Sequence, residues 1–180
     1  MADTQHQLLL YEALELRAEY DARMKTLKDC LPEGQQPRDR FAFTHADESR
    51  SRPSPEFDVA AAREQLRTLE VKRRKLNSAI QQINFQHQLE IGGETVTLNE
   101  ALELRKGLNT QLGELYAQVM KAAYQRVIYK EDRDIVEPTD LSYTQCVQRL
   151  DETRVTFREV NRKIRAAAYE VRVAFRDEPQ

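Results

Sequence analysis

Apolar residues near the start of the chain fall at Leu10, Ala13, Tyr20, Met24, Leu27 and Leu31, in steps of three and four with one gap that Arg17 fills. This heptad spacing predicts a helix packed lengthwise on another helix. Thr4 and Gln7 have the spacing of a capping box at its start. A second seam runs Val59, Ala62, Leu66, Leu69, Arg73, Leu76, Ile80, Ile83, His87, and its helix is expected to open with Ser54 as cap and Pro55 in the first turn. A third runs Leu98, Ala101, Arg105, Leu108, Leu112, Leu115, Val119, Ala122, with Thr97 and Glu100 as its capping box. A fourth, predicted from about Thr139 to Phe175, runs Tyr143, Cys146, Leu150, Thr153, Phe157, Val160, Ile164, Ala167, Val171, Ala174. The second and fourth helices, read as over thirty residues each, are longer than the other two. Unequal lengths leave apolar ends uncovered, so a homo-oligomer is expected.

Between the helices the pattern changes. Residues 32–56, with several prolines and clusters of charged and small polar residues, predict a long loop, in part disordered, with "FAF" at 41–43 as a docking point. "LEIGGETVTL" places β-favouring stretches on either side of Gly92-Gly93 and predicts a hairpin. The connector at 127–138 has room for a second one.

The hexapeptide "EALELR" occurs at 12–17 and again at 100–105. A shift of 88 lays the first seam on the third: Leu10 on Leu98, Ala13 on Ala101, Arg17 on Arg105, Leu27 on Leu115. A shift of 84 lays the second on the fourth: Leu66 on Leu150, Asn77 on Asn161, Ile80 on Ile164. The expected fold is all-α. Two antiparallel helical hairpins, 1–91 and 92–180, are related by internal duplication in a single four-helix, bundle-like domain with small β-hairpin elements.

Three stretches, "EALELRAEYDARMKTL", "LNSAIQQIN" followed by a Gly turn and "TLNEALELRKGL", and "DLSYTQCVQRLDE", resemble a bacterial helical family whose members often carry the label "septicolysin". The resemblance spans nearly the whole chain and implies an antiparallel helical fold that oligomerises. It contains no catalytic motif, and the first loop here is longer than the family's. The label suggests a cytolysin, which these residues do not support. No segment alternates long enough for a membrane strand, and none is apolar enough for a membrane helix.

Composition narrows the function classes. Charged residues make up 32% of the 180, yet the formal net charge is −2, which argues against a nucleic-acid binder. The basic run "VKRRK" at 71–75 spreads around a helix, with Glu64 and Glu70 beside it. The start "MADTQHQ" is not a secretory signal, and the two cysteines, Cys30 and Cys146, have no motif around them. A soluble, cytoplasmic protein is expected.

Site candidates are few. Glu12, Glu15, Glu100 and Glu103 form matched pairs, but they lie off the seam, and no Glu-x-x-His accompanies them as a di-iron bundle requires. No metal, cofactor or catalytic residue is expected. The polar seam residues are Arg17, Asn77, Arg105, Asn161 and His87. Counting back from the hairpin tip brings Arg105 near the level of Asn161, and the repeat then places Arg17 near Asn77. The guanidiniums either donate to the Asn carbonyls or run past the seam into water. The expected function is a non-enzymatic, self-assembling or interaction protein, with a possible protein partner at loop 32–56. The alternative is an enzyme or ligand-binding protein with a site between subunits around the five seam residues.

Overall fold

The computed structural model describes residues 7–32, 53–130, 133–137 and 141–177. Thr4, most of loop 32–56 and the "FAF" stretch lie outside them. Among the described residues four helices dominate: α1 (Leu10–Cys30), α2 (Val59–Gln86), α3 (Leu98–Ala122) and α4 (Tyr143–Glu170). Around them run six short strands: β1 (Gln7–Leu9), β2 (Gln88–Ile91), β3 (Glu94–Thr97), β4 (Arg126–Lys130), β5 (Arg133–Glu137) and β6 (Arg172–Ala174). They form three antiparallel pairs, β1 with β6, β2 with β3, and β4 with β5.

The chain divides into two compact units. One is Met1–Gln82 with Glu170–Gln180, the other Ile83–Tyr169. This boundary differs from the hairpins 1–91 and 92–180 expected from periodicity. The strands explain it: β6 pairs with β1 and holds the C-terminal segment in the first unit, while β2 pairs with β3 and keeps the end of α2 in the second.

In the first unit, α1 and α2 run antiparallel. Three polar contacts step along them in opposite chain directions: Arg17 with Asn77, Asp21 with Arg73, and Lys28 with Glu70. Leu10, Ala13, Tyr20, Ala62, Leu76, Ile80, Val171 and Val173 are buried. Gln7 belongs to β1, so it does not cap α1. The Glu12 carboxylate accepts from the Leu9 N–H at 2.7 Å instead, which satisfies one of the donors left open at a helix start.

The α2 start also differs from expectation. Asp58, not Ser54, is the cap. Its Oδ1 accepts from the N–H groups of Ala60 at 2.8 Å and Ala61 at 3.0 Å, whereas Ser54 closes a turn with Phe57 before the helix begins. Asp accepts two orphan donors at once and fixes the first turn there.

In the second unit, Thr97 and Glu100 form the expected capping box. Thr97 N–H donates to Glu100 Oε2 at 2.6 Å, and Glu100 N–H donates to Thr97 Oγ1 at 3.2 Å. The Thr97 N–H and the Thr97 hydroxyl, which donates to the same Oε2 at 2.8 Å, hold the Glu100 carboxyl below its ordinary value. Gly92 and Gly93 take φ of 61° and 87° between Ile91 and Glu94, the primed turn that matches strand twist. Strands β4 and β5 pair with Arg126 facing Glu137 and Lys130 facing Arg133, the second hairpin expected from the connector. The buried residues include Leu98, Ala101, Leu108, Leu115, Cys146, Leu150, Val160, Ile164 and Ala167.

The fourth helix is shorter than expected, because Ser142 accepts at its start and Val171–Ala174 leaves the helix to pair with β1. Both α2 and α4 contain 28 residues, against 21 in α1 and 25 in α3, so the length mismatch behind the oligomer expectation is reduced.

The two small sheets at the helix junctions share a register. Leu8 faces Val173 and Leu9 faces Arg172; Val96 faces Leu89 and Thr97 faces Gln88. Adding 88 on one strand and subtracting 84 on the other converts the first set into the second.

Candidate functional site

The five polar seam residues separate by environment. Arg17 is half-buried and its Nη1 donates to Asn77 Oδ1 at 3.2 Å. Arg105 is exposed, and Asn161 donates its amide nitrogen to the Phe157 carbonyl of its own helix at 3.0 Å. Each arginine therefore follows a different one of the two courses open to it. His87 is half-buried, and its backbone carries its role: its N–H donates to Ile83 at 2.8 Å and its carbonyl accepts from Leu98 at 2.8 Å. The structure thus brings Arg17 and Asn77 together within the first unit.

A second polar group in that unit lies outside the five seam residues. Tyr20, one turn beyond Arg17, is only 2% exposed, and its hydroxyl finds no partner in full hydrogen-bond geometry. The Asp177 carboxylate lies close to it, and Lys72 Nζ on α2 is 3.0 Å from Asp177 Oδ1. Burial, reinforced by the carboxylates of Asp177 and Glu19, pushes the phenol above its ordinary value against the pull of Arg23. Burial also pushes the Asp177 carboxyl up, but Tyr20, Lys72 and Arg23 together outweigh it and hold it below its ordinary value.

At neutral pH the group is therefore a protonated phenol, a carboxylate and an ammonium. The phenol is further from acting as a base than a free tyrosine, and the carboxylate is already neutralised by Lys72. What the arrangement does is hold the segment after β6 against α1 and α2. Tyr20 was visible as a seam residue whose counterpart is Leu108, and a buried tyrosine asks for a polar neighbour. Asp177 carried no local signal, lying 105 residues from Lys72.

The second unit has an open polar groove of about 340 Å³ between α3 and α4, lined in part by Gln111, Glu114, Gln118, Arg149 and Glu152. It mixes both signs of charge. Glu12 and Glu100 serve as helix-start acceptors, while Glu15 and Glu103 are exposed. Among the described residues no group of three or more His, Cys, Asp or Glu is placed to hold a metal ion, and no helix is long and apolar enough to cross a membrane.

The fold is that of a mainly helical protein with small antiparallel strand pairs. It is similar to the crystal structure of a functionally unknown conserved protein from Corynebacterium diphtheriae, at a TM-score of 0.68 and 16% sequence identity, over 93% of this chain and 99% of that chain. No family model matches the chain, and no curated protein matches it. At this identity the likeness is one of fold alone.

Proposed function

We propose that this chain is a non-enzymatic, cytoplasmic helical protein that acts by assembling with itself, built as two copies of a strand–helix–helix–strand unit. The exposure of the β4–β5 arm carries the self-assembly reading. Ile128 is half-buried and every other residue of the two strands is exposed, including Val127, Tyr129, Ile135 and Val136. A two-stranded hairpin is marginal in water unless a third strand or another surface covers it. Exposed apolar clusters of this kind are commonly contact surfaces.

The duplication is supported by the matched hydrogen bonds at the helix starts. Leu10 N–H donates to the Val171 carbonyl at 2.9 Å, and Leu98 N–H to the His87 carbonyl at 2.8 Å. Leu98 and Val171 are the positions reached from Leu10 and His87 by the shifts of 88 and 84. The resemblance to septicolysin-labelled proteins belongs to this reading for the oligomeric helical fold it implies, without a cytolytic role. Sedimentation velocity from low to hundreds of micromolar tests it, with a concentration-dependent oligomer expected. A monomer across the range refutes self-assembly.

A further inference from the structure

We infer that the β5 edge of the arm is where two copies of this chain meet, in antiparallel register about a two-fold axis at Ile135. This rests on the self-assembly reading and names its surface. Charge order along the strands selects the edge. β5 reads Arg133, Asp134, Ile135, Val136, Glu137. Turned antiparallel on itself about Ile135, it places Ile135 opposite Ile135 and each Arg133 opposite Glu137 of the second copy. Two opposite-charge pairs then flank an apolar centre on one face of the sheet. The neighbouring two-fold registers are worse, since centring on Asp134 sets two carboxylates face to face and centring on Val136 sets Glu137 against Ile135. The β4 edge fares worse at its own central register. It reads Arg126, Val127, Ile128, Tyr129, Lys130, and self-pairing about Ile128 sets Arg126 against Lys130.

The hairpin's own pairing supports the choice. Ile128 faces Ile135 across the arm, Arg126 faces Glu137 at 3.5 Å, and Lys130 faces Arg133, a like-charge pair. Joining two arms at β5 extends the isoleucine row to four residues, Ile128 and Ile135 from each copy. It also brings a carboxylate beside the Lys130–Arg133 pair. Four strands meet the requirement that a lone hairpin fails. Edge-to-edge addition is an established mode of association, with main-chain bonds providing adhesion and side chains selecting the register. Two five-residue strands cover little beside the roughly 1,000 Å² of a durable interface, so the dimer is a weak, concentration-dependent one.

Charge exchange tests this. Arg133→Glu sets carboxylates against Glu137 of the second copy and, within its own hairpin, places a carboxylate opposite Lys130. The paired change Arg126→Glu with Glu137→Arg keeps the hairpin's ion pair in reversed sense and sets guanidiniums against Arg133 of the second copy. Each variant alone is expected to dimerise at least about tenfold more weakly than the parent chain, with helix content unchanged by circular dichroism. An equimolar mixture restores dimerisation, since every opposed pair is then of opposite sign. If Arg133→Glu dimerises as tightly as the parent, or the mixture fails to associate while the parent does, the β5 edge is overturned and self-assembly stands on another surface. A parent chain that is monomeric throughout overturns both.

Discussion

The Arg17 guanidinium donates to the Asn77 side-chain oxygen across the α1–α2 pair, whereas Arg105, which ends the second "EALELR", is exposed, and Asn161 bonds to its own helix. The same hexapeptide thus serves one interhelical contact and one solvated face. Replacing Asn77 by Leu leaves a half-buried guanidinium without that acceptor, at an expected cost of about 1–2 kcal/mol. The double change Arg17→Met with Asn77→Leu removes donor and acceptor together and recovers most of that loss. Arg105→Met with Asn161→Leu shows additive effects and no coupling. Denaturant melts of both cycles check this. Equal coupling in the two cycles, or none in either, counts against the asymmetry.

Much of this architecture could be read from local pattern. Heptad spacing marks four helices, Thr97-x-x-Glu100 marks a helix start, and Gly92-Gly93 marks a turn that needs positive φ. What could not be read is the β1–β6 pair. Three-residue strands at opposite ends of the sequence carry no local signature, and Val171 and Ala174 continue the α4 seam so well that the strand reads as more helix. The Asp58 cap was hidden by a more conspicuous Ser-Pro beginning a few residues earlier. Among site candidates, periodicity placed Arg17 on a seam, but it could not distinguish Arg17 from Arg105, because both occupy the same heptad position and only the packing around each differs.

The Lys72–Asp177 ion pair tethers the segment after β6, with side chains 22% and 43% exposed. Asp177→Asn removes the charge and is expected to raise hydrogen exchange at the amides of the β1–β6 pair, Leu8 through Leu10 and Arg172 through Ala174, while the middle of α2 keeps its protection. Because the folded-state proton affinity of Asp177 is depressed, its stabilising contribution is present above the ordinary carboxylate range and fades as pH falls through the depressed value. Acid-induced exchange should therefore begin at β1–β6 in the parent chain, and the acid dependence there should be smaller in Asp177→Asn. Identical acid profiles in the two proteins rule out the tether.

Tyr20 gives the opposite sign at the other end of the pH scale. Its phenol is held above its ordinary value, so the folded state grips the proton more tightly than the unfolded chain does. Its contribution is complete below the unfolded value of about 10 and is lost as pH rises beyond it. Tyr20→Phe keeps the packing and removes a hydroxyl that has no well-formed hydrogen bond. The change should cost under about 1 kcal/mol at neutral pH and reduce destabilisation above pH ~10. Thermal melts across that range would show it; a large loss at neutral pH would mean that the hydroxyl is bonded to Asp177 after all.

The β2–β3 turn separates two glycines that look alike in sequence. Gly92 has φ of 61°, within the left-handed region that Asn tolerates, whereas Gly93 has φ of 87°, beyond it. Nothing lies within 4 Å of a Cβ built at either position, so backbone strain alone decides the outcome. Asn-Gly is the favoured pair for this turn, and a side chain at 92 also narrows the unfolded ensemble. Gly92→Asn is expected to leave stability unchanged or raise it by roughly a few tenths of a kcal/mol. Gly93→Ala forces a side chain into a conformation that L-residues avoid and should cost about 1 kcal/mol or more. The loss should appear as faster amide exchange at Leu89 and Val96, which face each other in that hairpin. Equal melting temperatures for Gly93→Ala and the parent chain would show that the turn can relax to another type without cost.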